Sequence, residues 1–106
     1  MFKVLLAAAV IVATPAIAFA NHATNAKDAF KEASDAMMHG MMAPLTGDAD
    51  KDFVMMMIPH HEGAIDMANI ELKYGKDETL RAMAKAIVEA QEKEIKEMKD
   101  WQASHQ

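Results

Sequence analysis

The chain has 106 residues, among them 11 methionines and five histidines but no cysteine, and carries a formal charge of −5. Its acidity excludes nucleic acid as a partner, because phosphates demand a basic face. The missing thiol excludes disulfide staples and cysteine nucleophiles.

Residues 1–20 read as a Sec-type signal peptide. Lys3 is their only charge, an apolar stretch runs from Val4 to Ala13, Pro15 breaks it, and Ala18-Phe19-Ala20 gives a small-x-small cleavage site. The stretch is short of the roughly 20 apolar residues of a membrane span, although an uncleaved anchor is the alternative. Cutting after Ala20 leaves Asn21 and His22 first, an amine-plus-imidazole pair that could grip Cu(II); cutting after Ala18 destroys it. Removing these residues leaves 86 at a net charge of −6, read as one domain, residues 21–106, exported to the periplasm with no membrane association. A domain this small buries little more than about 60% of its unfolded surface and needs help from a metal or a second subunit.

The rest reads as all-α, with apolar residues recurring at three and four positions and no β-branched runs. A first helix runs from an Asn25 N-cap through Ala29, Phe30, Ala33 and Met37 to between Gly40 and Ala43. After a loop at residues 44–49, a second starts behind Asp48 or Asp50 and stops at Tyr74 with Gly75 beyond it. A third opens at Asp77 and reaches Ser104, with Leu80, Met83, Ala84, Ile87, Gln91, Glu94, Ile95, Met98 and Trp101 along one side. The second and third, roughly 25 residues and about 37 Å each, form an antiparallel hairpin across a short turn. Met83 and Met98 are expected in the core. Pro59 has two readings: a break inside the second helix, or the first residue of a separate one.

Methionine is the unusual element. Met55, Met56 and Met57 lead into Ile58, Pro59, His60 and His61, while Met37, Met38, Met41 and Met42 flank His39 upstream. Thioethers are soft, uncharged donors that favour Cu(I) or Ag(I) over hard cations, and they have no proton to lose. At about 100° per residue, Met56, His60, Met67 and Glu71 share one face of the second helix, with Met57 one ladder across. Methionine also fills cores, yet residues 21–106 hold 10 methionines against three leucines. Gln91 and Glu94 interrupt the apolar stripe of the third helix. Buried polar groups need partners, so these two are expected either to orient His60 or His61, or help ligate a metal directly, or else to form a solvated patch.

Met57, Ile58, Pro59, His60, His61, Ala64, Ile65, Met67 and Ala68, followed by Leu80, Ala84, Ile87, Gln91, Glu94, Ile95, Met98 and Trp101, resemble the CopM-like periplasmic copper-binding proteins over about residues 50–101. That resemblance implies a ferritin-like helical bundle with methionine and histidine sites for Cu(I) or Ag(I). The residues it implies are His60, His61, Met56 and Met57, and more loosely Met37, Met38, His39, Met41 and Met42. Three helices fall short of a four-helix bundle, so a homodimer is the expected completion.

Enzyme readings fail on spacing. No Glu-x-x-His pair of a di-iron site occurs, Ile65 stands where a His-Glu-x-x-His motif needs its second histidine, and Ser34 and Ser104 lack an activating context. The expectation is a non-enzymatic protein that sequesters Cu(I) or passes it to a copper-transfer partner. The rivals are a metal-free interaction module with a methionine-rich surface and a structural Zn(II) site at His60, His61 and Glu94.

Overall fold

The computed structural model describes residues 23–106. The signal-peptide and cleavage-site readings therefore lie outside the described residues. Three helices and no strand are present among the described residues: α1 (Ala26–Gly40), α2 (Ala49–Tyr74) and α3 (Glu78–Ser104). No described helix is long and apolar enough to cross a membrane.

Each helix starts where a short polar side chain can satisfy a free backbone donor. Asn25 Oδ1 accepts from the Asp28 N–H at 2.9 Å, Asp48 Oδ1 from Lys51 at 3.1 Å, and Asp77 Oδ1 from Leu80 at 2.9 Å. Asp52, in the first turn of α2, reaches back to the α1–α2 loop. Its Oδ1 accepts from the Thr46 N–H (2.9 Å) and hydroxyl (2.8 Å), and its Oδ2 from the Gly47 N–H (2.9 Å). Those bonds favour the ionised carboxylate and hold the Asp52 pKa below its ordinary value. Gly47 has φ +88°, a conformation that glycine adopts without a Cβ penalty. Gly75 is different: it ends α2 in extended backbone (φ −72°, ψ 154°), with its N–H on the Glu71 carbonyl at 2.7 Å.

A single helix runs through Pro59, so the proline does not open a separate helix. Its ring packs where α1 comes closest: a Cβ on Gly40 would lie 2.8 Å from Pro59 Cβ. One turn on, Gly63 faces Met37, and a Cβ there would lie 2.7–2.9 Å from Met37 Sδ, Cγ and Cβ. Two residues without side chains thus set the approach of α1 to α2, and Ala29 and Ala33 continue it onto Ile70, with Met67 and Tyr74 packed alongside.

α2 is the central element. α1 and α3 each run antiparallel to it, and no Cα of α1 comes within 8 Å of a Cα of α3. At the hairpin turn, Arg81 Nη1 donates to the Leu72 carbonyl (2.6 Å) and the Gly75 carbonyl (3.2 Å), tying α3 to the unpaired end of α2. The buried apolar residues are Ala29, Ala33, Val54, Ala68, Ile70 and Ala84, and among the described residues no large side chain is fully buried. Of the two methionines expected in the core, Met98 is half-buried but Met83 is 54% exposed, as is Leu80 of the same stripe at 49%, because α1 does not reach α3 to cover that side.

Gly63→Val should lower stability by about 1–3 kcal/mol, because the branched side chain overlaps Met37. Arg81→Ala should cost about 1.5–3 kcal/mol through loss of charge-assisted bonds to the end of α2. Urea unfolding followed by circular dichroism reads both; unchanged midpoints would contradict these roles.

Candidate metal centre

The antiparallel crossing of α1 and α2 brings together two methionine- and histidine-rich segments that are separate in sequence. Gly40 on Pro59 and Met37 on Gly63 bring residues 37–42 beside the α2 turns that carry Met56 and His60, whereas Met67 packs farther along, against the Ala29, Ala33 and Ile70 cluster. Helix phase then divides the candidates. At about 100° per residue, Met56, His60 and Met67 lie on the side of Gly63 that faces α1, whereas Met57 and His61 point toward α3. The two imidazoles diverge accordingly, with ring centroids 5.9 Å apart and planes tilted by 58°.

His61 is the better anchored of the pair. Its Nε2 is bonded to Glu94 Oε2 across the α2–α3 seam, and its side chain is 13% exposed. With the carboxylate accepting from Nε2–H, the lone pair of a neutral ring lies on Nδ1. That atom is buried without a hydrogen-bond partner, as is Gln91 Oε1 one turn before Glu94. Of the two polar residues on the α3 stripe, Glu94 therefore orients a histidine and Gln91 presents an unmatched acceptor. Lys99, 3.8 Å from Glu62, spans the same pair of helices.

The remaining candidates are looser. His60, Met38, His39 and Met42 are exposed, whereas Met37, Met41, Met56, Met57 and Met67 are half-buried. Among the described residues no three His, Asp or Glu side chains gather as a metal-holding group, so His60, His61 and Glu94 do not form the triad that the zinc reading requires. The arrangement that exists is sulfur-rich, with one imidazole on each side of α2.

On the charged side of the α1–α2 crossing, a groove of about 610 Å³ is lined by Glu32, Met37, Pro59, Glu62, Asp66 and Lys73, among others. Partial burial there raises the Asp66 pKa above its ordinary value, and the nearby Glu62 charge adds to the shift. A carboxyl with a raised folded-state pKa weakens the fold while it is ionised, and that penalty disappears as pH falls through the folded-state value.

These features define an all-helical protein built on a central antiparallel hairpin. The chain belongs to the DUF305 family, described as a domain of unknown function, whose model matches residues 10–102. No curated protein matches the chain.

Asp66→Asn should raise the urea midpoint at neutral pH, and the gain over the parent chain should shrink on acidification through the raised Asp66 pKa. A gain of equal size at both pH values would place its origin elsewhere.

Proposed function

We propose that this protein is a Cu(I)/Ag(I)-binding protein of the periplasm, where it sequesters copper or hands it to a partner with stronger ligands. The observation that supports the reading is the crossing of α1 over α2, where Met37 packs on Gly63 and Gly40 on Pro59 so that the sulfur-bearing segment runs past the turns holding Met56 and His60. Thioethers suit a monovalent soft ion, bind it without releasing protons, and exchange singly, which permits transfer. His60, exposed beside this crossing, would add an imidazole. His61 would offer the second through Nδ1, since Glu94 occupies its other nitrogen, the arrangement by which carboxylates fix the orientation and basicity of a ligating histidine. The N-terminal sequence, with its charged start, apolar run and small-residue cleavage site, supports export, and a cysteine-free donor set suits an oxidising compartment.

The rival reading, a metal-free interaction module, draws on the exposed sulfurs of Met38 and Met42. Anaerobic titration of the purified protein with Cu(I) against a chromophoric chelator separates the two. The expected result is chelator-resistant binding. Replacing His60 and His61 by alanine together with Met55, Met56 and Met57 by leucine should abolish it, and Glu94→Gln should weaken it by about 10–100-fold. Met83→Leu, remote from the crossing, should leave it intact. A folded chain that gives up all its Cu(I) and Ag(I) to the competitor would refute the proposal.

A further inference from the structure

The three helices form a layer whose two faces differ. On one, Glu62 and Lys99 pair across α2 and α3, and the groove holding Glu32, Glu62, Asp66 and Lys73 lies between α1 and α2. On the other, helix phase collects Phe30 from α1, Phe53 and His60 from α2, and Leu80, Met83 and Ala90 from α3. This second face is open, and its large side chains are apolar apart from the carboxylates Glu71 on α2 and Glu94 and Glu97 on α3. Phe30, Phe53, Leu80 and Met83 are 40%, 60%, 49% and 54% exposed, and α1 and α3 stand apart with α2 as the floor between them.

Secondary-structure layers with one apolar face are stable when a second layer covers it. Here that second layer is missing among the described residues, and the core they form is small, its buried apolar residues being four alanines, one valine and one isoleucine. We infer that a second copy of this chain covers the open face, giving a two-layer, six-helix dimer with Met83 and His60 in its interior.

Geometry favours a copy of the chain over an unrelated protein. Phe53 marks one end of the face, level with Trp101, while Leu80 and Met83 mark the other, beside the end of α2. A two-fold axis passing midway along α2, near His60 and the small Ala64, lays Phe53 of each copy over the Leu80–Met83 end of its partner. That is the self-complementary pattern a two-fold interface requires, and it sets sulfur against aromatic rings, a favourable contact. The four large side chains expose on the order of 400 Å², about half of the roughly 800 Å² each chain contributes to a standard interface.

The cysteine-free chain makes the test direct. Light scattering of the metal-free protein, with its N-terminus read by mass spectrometry, should give twice the chain mass. Met83→Glu should halve that mass, and Lys85→Glu, on the charged side of α3, should not. Because a charge on the face could also unfold the protein, Ala90→Cys and Glu89→Cys provide a second measurement. Both positions are exposed in the single chain, so slower maleimide labelling at 90, by about tenfold or more relative to 89 and growing with protein concentration, reports cover by a second copy. A folded wild-type protein of single-chain mass, or equal labelling at 89 and 90, overturns the inference. Protection at 90 in a particle of single-chain mass also overturns it, because another part of the same chain would then be the cover. All of these measurements omit metal, so their outcome is independent of whether copper binds.

Discussion

Two missing side chains set the geometry of this protein. At Gly40 and Gly63 nothing stands between the backbone of one helix and the side chains of another, and α1 settles onto α2 at distances a Cβ would forbid. The alanines that follow, Ala29 and Ala33, keep the helices near over the remaining turns. Close approach of this kind contributes little apolar area, since burial scales with the surface removed from water. What it contributes is position: a sulfur-rich turn of α1 is fixed over the proline turn of α2.

Much of the helical framework was legible in the sequence because its signals are local. Asn25, Asp48 and Asp77 each cap a helix with their own side chain, and such caps depend on neighbours three residues away, not on tertiary contacts. The pairing of Glu94 with His61 was legible in part, since a carboxyl on an apolar stripe must find a partner in the facing helix. Other features were not. Which glycine marks a helix crossing depends on what faces it, so Gly63 gave no warning of Met37. The alternatives at Pro59 could be separated only by the backbone, which continues through it. The same apolar stripe that predicts burial of Leu80 and Met83 says nothing about whether a covering surface exists, and among the described residues none does.

The adjacent histidines illustrate how a helix converts sequence neighbours into chemically different groups. His60 is exposed in the single chain and lies on the α1 side, while His61 is clamped by Glu94 with its second nitrogen enclosed. One is an open imidazole and the other a preset one, and a step of about 100° along the helix separates them. Gln91 adds an enclosed acceptor to the preset side. Buried polar groups without partners are costly, and both of the unpaired buried side-chain atoms among the described residues lie at this seam.

The α2–α3 hairpin is fastened unequally along its length. At the turn, Arg81 grips two carbonyls of α2. At the far end, Asp50, Phe53, Val54, Glu97, Met98 and Trp101 line an open groove of about 390 Å³ between the helices. His61 lies between the two, so its bond to Glu94 and the Glu62–Lys99 pair fasten the stretch of the hairpin that the rivet at the turn does not reach.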